Sequence, residues 1–283
     1  MSAAPKNPMI VVMAAVCLTG LLMPVHAEEI TSATAPQMAQ QAEESQDPDK
    51  WTFNSPLYVW LAGVNGGISV KGRSAHLDLS PTDILNHLDV SFMGYFELAK
   101  PQYGFYAEPL YMKLSADGGA GHIKANDDLQ LWIAEFGGFY RIWASDSDRR
   151  ASLYALAGGR YWNVHNKLTV KDPLNKVNVA GTVWMMDPIV GLRFEEYFTK
   201  RLHAWVQADV GGFGISDDTT RFSWQVTPLL GYDFTMPVIK KPSTVFAGWR
   251  QLNVQYINTT EATKQSFDLT LQGVLVGLNV QLF

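Results

Sequence analysis

Residues 202–210 read Leu-His-Ala-Trp-Val-Gln-Ala-Asp-Val, and this stretch decides the fold class. Small or aliphatic side chains occupy every second position, and His203, Trp205, Gln207 and Asp209 stand between them. Because successive side chains of a β-strand point to opposite faces, this alternation predicts a strand with one apolar face. Alternation alone leaves open which face is the inner one, since barrels in water and barrels in membranes both alternate.

The same period of two runs from Trp51 to the last residue, in segments rich in aromatic and β-branched residues and separated by Gly, Pro, Asn and Asp. It predicts an all-β chain folded as an antiparallel up-and-down transmembrane β-barrel of about ten strands, with eight or twelve as the alternatives. Each segment is long enough for a tilted transmembrane strand. The predicted strands are 51–63, 90–100, 103–115, 128–143, 151–167, 177–195, 200–214, 221–235, 244–257 and 267–283.

The connections between these strands alternate in length. Those on one side are mostly short, and those on the other side are longer and mostly polar, which is typical of periplasmic turns and external loops. The longest, 64–89, is expected to contain a hairpin of 66–70 with 75–79 and then a helical turn capped by Ser80. The other long connections are 116–127, 168–176, 215–220 and 258–266.

Composition favours a membrane barrel over a soluble one. Only 17% of the residues are charged and 12% are aromatic, whereas soluble domains usually have about a quarter charged. The polar face carries Gly, Gln, Ser, Trp and isolated charges where a water-facing sheet would carry many Lys and Glu. Aromatic residues also collect near both ends of the strands, as interfacial girdles do. They are Tyr103, Trp143, Tyr197, Phe198 and Phe234 beside the short turns, and Trp132, Trp162, Trp184 and Trp224 toward the other end.

The first 27 residues have the pattern of a secretory signal. Lys6 precedes an apolar run at 9–23 that is too short to span a bilayer, and Ala27 ends a segment suited to cleavage. We therefore expect a signal peptide at 1–27, a flexible acidic periplasmic tail at 28–50 and the barrel at 51–283, in the bacterial outer membrane. Cys17 is the only cysteine, so no disulfide is expected.

The last strand alternates up to the final residue, as the terminal strands of outer-membrane barrels do. Val280 and Leu282 are in phase with the aliphatic set, and Phe283 follows them. These three residues are the expected assembly signal, which implies the barrel-assembly machinery as a partner during insertion.

Three segments carry a more specific resemblance, namely 187–193 (DPIVGLR), 208–214 (ADVGGFG) and 246–254 (FAGWRQLNV). With their spacing they resemble a widespread, largely uncharacterised family of small proteobacterial outer-membrane β-barrels, within the outer-membrane β-barrel superfamily. The resemblance spans 51–283 and implies location and fold. It implies no catalytic residue.

If the aliphatic face is the outer one, eight charged side chains project into the lumen. Placing them inward avoids the cost of charge on the lipid face, and enclosed charges must then be paired. The main expectation is an internal salt-bridge network, with a gated or narrow selective pore and a ligand site as alternatives. The eight are Glu97, Glu108, Glu135, Arg160, Asp187, Arg193, Asp209 and Arg250.

No catalytic, cofactor or metal site is expected. The histidines outside the signal (His76, His87, His122, His165 and His203) have no recognisable spacing to a nucleophile. The 216–218 stretch lacks the spacing of a calcium loop. The glycines of 211–214 are expected inside a strand and so cannot hold phosphate at a helix start. The net charge of −5 argues against nucleic-acid binding.

The sequence therefore predicts an integral outer-membrane barrel with a narrow charged lumen, in contact with membrane lipid and lipopolysaccharide, in a structural or passive transport role. About eight strands leave room for little more than side chains, so ten imply a mostly filled lumen. Two alternatives stay open, a selective channel for small solutes or hydrophobic compounds and a surface lipid-modifying hydrolase. The sequence does not indicate the oligomeric state.

Overall fold

A computed structural model describes residues 50–70, 73–120, 123–145, 150–171, 176–216, 219–237, 241–258 and 265–280. The expected signal peptide, all of the expected tail except Lys50, and two of the three residues of the expected assembly signal lie outside the described residues, as does His122. Val280 is the last described residue and ends a strand.

The described chain forms one antiparallel sheet of thirteen strands and one short helix, so the all-β antiparallel prediction is confirmed. The elements are β1 Thr52–Asn54, β2 Leu57–Val70, β3 Arg73–Leu79, α1 Pro81–His87, β4 Leu88–Met93, β5 Phe96–Ala99, β6 Tyr103–Ala120, β7 Ile123–Ala144, β8 Ala151–Lys171, β9 Lys176–Tyr197, β10 Leu202–Gly211, β11 Phe222–Thr235, β12 Pro242–Asn258 and β13 Gln265–Val280.

The sheet closes on one stretch of chain, residues 52–70. Each strand from β5 to β13 pairs with the next along the chain, except that β5 and β4 both pair with β6. The last strand, β13, pairs with β2. On the opposite edge of the same stretch, β1 pairs with β5, Leu57 forms a bridge to Gly94, and the Tyr95 N–H donates to the Pro56 carbonyl at 3.1 Å. Up-and-down pairing therefore returns to its starting strand, as in a barrel.

The thirteen strands exceed the predicted number for local reasons. Pro56 has no N–H to donate, and the first stretch is divided there into β1 and β2. The second stretch is divided at Gly94 and Tyr95, and the hairpin strand β3 was counted within a loop. The capping prediction is confirmed, because Ser80 accepts from the Asp83 N–H at the start of α1.

Two predicted loops are wrong. Strands β6 and β7 pair as far as Ala120 and Ile123, and β8 and β9 as far as Lys171 and Lys176. The polar composition of 116–127 and 168–176 marks strand ends here, because the backbone ladder does not depend on apolar side chains.

The two faces of the sheet have opposite character. Large apolar side chains are exposed on the outer face along most strands, among them Leu57, Val59, Phe105, Phe136, Val190, Leu192, Val206, Leu230, Val245 and Val276. The inner face buries charged side chains together with two apolar clusters. The larger cluster contains Trp60, Leu110, Met112, Ile133, Met185 and Leu252, and the smaller contains Ala99, Tyr106, Phe139 and Leu156. Within the described ranges no helix is long and apolar enough to cross a membrane.

Candidate functional site: the charged lumen

Four neighbouring strands place one charged residue each on the inner face in a continuous row. In the ladder Glu108 lies opposite Glu135, Glu135 opposite Arg160, and Arg160 opposite Asp187. Directly opposite residues of paired strands point to the same face, so register alone brings these side chains together. Arg160 and Asp187 are completely buried, and Glu135 is 1% exposed.

Arg160 is the centre of this row. Its Nε donates to Glu135 Oε1 at 2.8 Å and its Nη2 donates to Asp209 Oδ1 at 2.6 Å. Its Nη1 lies 3.4 Å from the Oγ of Ser223, so Arg160 on β8 contacts a residue of β11. Each arm of the guanidinium therefore has an acceptor, as a buried cation requires.

Arg250 reaches the same acids from the other side of the lumen. Carried by β12, it donates through Nη1 to Glu108 on β6 and through Nη2 to Glu135 Oε1 on β7, the latter at 3.2 Å. Its Nε donates to Gln225 Oε1 at 2.8 Å, and Tyr58 OH also donates to Glu108. Because β12 is not a neighbour of β6 or β7 in the sheet, these contacts cross the interior of the barrel.

Asp187 differs from the expected pattern, since its partners are neutral donors. It accepts from the Thr220 backbone N–H at 2.7 Å, the Thr220 hydroxyl at 2.9 Å and Trp162 Nε1 at 3.2 Å. Thr220 is fully buried and belongs to the connection between β10 and β11. Asp187 therefore holds this connection against the barrel interior.

Arg193 forms a second cluster nearer the short turns. Its Nη1 lies 2.8 Å from Glu97 Oε2 and 3.9 Å from Glu195 Oε1, and its Nε donates to Gln207 Oε1 at 3.1 Å. The guanidinium carbon is 4.9 Å from the centre of the Phe139 ring. Glu97 and Arg193 lie on β5 and β9, so this pair also crosses the lumen.

The sequence did not predict several polar residues of these clusters, among them Tyr58, Tyr95 and Glu195. Tyr95 OH donates to Glu97 Oε2 at 2.9 Å, Tyr58 bridges to Glu108, and Glu195 joins Arg193. Glu195 is two positions after Arg193 and shares its face, so the period of two could have found it. Tyr95 follows the strand break at Gly94, where a period cannot be extended.

Carboxylates outnumber guanidiniums in these clusters. The acids are Glu97, Glu108, Glu135, Asp187, Glu195 and Asp209, and the bases are Arg160, Arg193 and Arg250. These clusters therefore contain twice as many carboxyl groups as guanidinium groups. In the described part of the chain no group of three or more His, Cys, Asp or Glu side chains is arranged to hold a metal ion.

Two sequence predictions about this region are wrong. Trp162, expected in a girdle, is 3% exposed and lies in the lumen, because it shares the inward phase of Arg160 two residues earlier. Gly212 and Gly214 do not lie inside a strand as expected, because β10 ends at Gly211. Gly212, Phe213 and Gly214 have φ of 85°, 62° and 57°, which no β-strand accommodates.

His203 is the described histidine with a carboxylate partner. Its Nδ1 lies 3.3 Å from Asp233 Oδ2, and its ring stacks on Trp205. The Nε2 edge faces Gly231, where an added Cβ would lie 2.6 Å from it. Since neither nitrogen faces an open cleft, the arrangement fits a packed side chain better than a general base.

The fold and the lumen together define a class of protein, a β-barrel with an apolar outer surface and a salt-bridged interior. No protein-family model and no curated protein matches the sequence, so the family resemblance inferred from the three segments stays a prediction.

Outer-membrane proteins that are named for different activities are among the solved structures similar to the chain. The outer-membrane protease OmpT of Escherichia coli is 10% identical with a TM-score of 0.47, over 83% of this chain and 97% of that one. Ail, the attachment invasion locus protein of Yersinia pestis, is 8% identical with a TM-score of 0.34, over 82% and 97%. The toluene transporter TodX of Pseudomonas putida is 11% identical with a TM-score of 0.30, over 87% and 93%.

Proposed function

We propose that this chain is an integral barrel of the bacterial outer membrane whose lumen is closed by buried salt bridges, with a structural role in the membrane. The observation that carries the proposal is the cross-lumen pair of Arg250 and Glu135, both almost completely buried. A soluble barrel would keep such charges on its outer surface and its aliphatic side chains within. Here charged side chains are buried inside and a band of large apolar side chains is exposed outside, as in barrels surrounded by lipid.

Closure of the lumen is supported by the side chains that lie beside the charged clusters. The larger apolar cluster contains Trp60, Met112 and Met185, and the smaller contains Tyr106 and Phe139. These buried side chains occupy space inside the barrel together with the salt bridges. In this proposal ions and hydrophilic solutes do not cross the resting barrel.

In this proposal the short turns face the periplasm and the long loops face outward, in contact with lipopolysaccharide. Insertion uses the barrel-assembly machinery, with Val280, Leu282 and Phe283 as the recognised end. The chain needs no cofactor and performs no catalysis.

The test is single-channel conductance of the refolded protein in a planar bilayer, after a gel has shown heat-modifiable migration. A folded, silent wild type is the expected result. Discrete ion-selective steps that change in Arg160→Ala and Arg193→Ala would contradict the proposal and establish a selective channel. Modification of lipopolysaccharide by the purified protein, lost in His122→Ala, would establish a hydrolase in its place.

A further inference from the structure

In the described part of the chain, backbone pairing around the barrel wall is interrupted between β2 and β4. We call this unpaired interval the seam. Along its other edge β2 is fully paired with β13, and β4 is paired with β6. On the edge where they face each other, both fully described, no backbone ladder joins residues 58–63 to β4. The Trp60 N–H donates instead to the Met93 sulfur at 3.3 Å.

The seam has defined ends. Toward the short turns it stops at the bridge between Leu57 and Gly94. Toward the long loops it stops where the chain from β3 to α1 crosses Gly63, since a Cβ there would lie 2.8 Å from the Leu79 carbonyl oxygen. The five residues between these ends, 58–62, correspond to about 17 Å along the strand.

Both sides of the seam are apolar. Val59, Val90 and Phe92, each 45–46% exposed, flank it on the outer face. Trp60 and Met93 flank it inside, within the larger apolar cluster. An interrupted ladder at lipid depth is costly unless another group satisfies its backbone, as the Met93 sulfur does for the Trp60 N–H.

Trp60 adds an independent observation. Its indole is 3% exposed, and Nε1 is buried without an acceptor in the described part of the chain. A buried donor left unpaired destabilises the folded chain and requires an explanation. The Arg250 guanidinium carbon lies 5.0 Å from the centre of the same ring, so the seam adjoins the charged clusters directly.

We propose that the seam is a lateral binding site for a single-chain acyl compound, whose hydrocarbon chain lies between β2 and β4 and whose carbonyl oxygen accepts from Trp60 Nε1. Arg250, the cation beside the Trp60 ring, is already paired with Glu108 and Glu135, so it is not free to bind a carboxylate and the site selects an uncharged head group such as an ester. The inference rests on the proposed membrane location, because it supplies the ligand from the bilayer side through the wall.

The probe is the methyl ester of cis-parinaric acid, a fluorescent polyene, titrated against refolded protein that has passed the heat-modifiability test. Trp60→Phe keeps an aromatic ring and removes the donor, and it weakens binding about three- to tenfold, as expected for one hydrogen bond. Trp184→Phe, an exposed site on a fully paired strand, leaves binding unchanged. Diphenylhexatriene, which has no acceptor, binds wild type and Trp60→Phe equally.

Closing the seam supplies a second measurement. Val59→Cys with Phe92→Cys, joined by a short bismaleimide linker, lowers ester binding at least tenfold. Ala208→Cys with Leu192→Cys, directly opposite each other in a complete ladder, is the control and has no effect when joined in the same way.

Equal binding by the linked and unlinked seam variants would overturn the inference, as would a wild-type barrel that does not bind the ester. Neither result would alter the proposed function, which is decided separately by insertion and conductance. A preference for the free acid over the ester would contradict an uncharged head group.

Discussion

Arg160 and Glu135 lie directly opposite each other on neighbouring strands, and both side chains are completely buried. Their Nε–Oε1 distance is 2.8 Å, and the same carboxylate oxygen also accepts from Arg250. A single oxygen therefore joins the two arginines of the central cluster. Because each ion has already lost its hydration, loss of one partner leaves the other buried and uncompensated.

Arg160→Met is expected to lower the free energy of unfolding by about 3–5 kcal/mol, since it leaves Asp209 without its cation and Glu135 with Arg250 alone. Denaturant unfolding of the barrel in lipid vesicles, followed by tryptophan fluorescence, measures the change. Arg201→Ala, at the exposed turn before β10, should change stability by less than about 0.5 kcal/mol. If Arg160→Met matched this control, the buried pair would have no role in stability.

Leu192→Arg tests whether the outer face contacts lipid. Leu192 is 49% exposed and belongs to the apolar band. A charge near the bilayer midplane destabilises a membrane barrel by about 2–4 kcal/mol, whereas in a water-soluble barrel the same exposed site would tolerate it. Phe198→Arg, at the turn end, should cost about 0–1 kcal/mol. Equal unfolding free energies for the two variants would contradict the membrane location.

Asp187→Ala should release the connection between β10 and β11. The change removes the acceptor of the Thr220 N–H and hydroxyl, so amide exchange at Thr220 rises at least tenfold and the connection becomes sensitive to protease. Hydrogen-exchange mass spectrometry reads out both the site and its neighbours. Asp78→Asn, in the exposed hairpin, is the control. If the Thr220 amide were as protected from exchange in Asp187→Ala as in the wild type, the Asp187 carboxylate would not hold this connection.

Gly212→Ala should destabilise the same connection through the backbone. At φ 85° a Cβ would lie 2.1 Å from Thr220 Oγ1 and 2.6 Å from its carbonyl oxygen. We expect a loss of about 1–3 kcal/mol in unfolding free energy. Gly181→Ala has no atom within 4 Å of the new Cβ and serves as the matched change. A Gly212→Ala barrel as stable as Gly181→Ala would contradict the close packing on Thr220.

Ser80→Ala should alter the titration of Asp83. Hydrogen bonds from the Ser80 hydroxyl and backbone hold the pKa of Asp83 below its ordinary value of 3.8. The depressed pKa means that the carboxylate stabilises the start of α1 at neutral pH, and that this contribution is lost as pH falls through the folded pKa. Ser80→Ala therefore raises the pKa, measurable by NMR titration, whereas Thr82→Ala leaves it unchanged.

The period of two was enough to predict which side chains face inward. Asp209 and Gln207 were placed opposite the aliphatic face from nine residues of sequence, and the structure buries both. Trp162 was misplaced because its residue type was weighed above its phase within β8. The phase of Arg160 two positions earlier already indicated the inner face.

The partners across the lumen could not be predicted in the same way. Arg250 and Glu108 are 142 residues apart, and their meeting depends on the stagger of the strands and the width of the barrel. The seam was equally hidden, because β2 and β4 both have regular strand sequences. The interruption is visible only in the structure, where β2 pairs with β13 and β4 pairs with β6 while their facing edges stay unpaired.

The pairing of β2 with β13 also sets an order of events. Leu57 lies opposite Leu278, so β2, one of the first strands synthesised, meets β13 only after more than 200 further residues have been synthesised. Until then β2 presents an open edge, which invites pairing with other chains. We expect the cross-lumen salt bridges of Arg193 and Arg250 to form no earlier than this closure. Interactions that form so late chiefly slow unfolding, and a completed barrel should therefore persist long after conditions stop favouring its assembly.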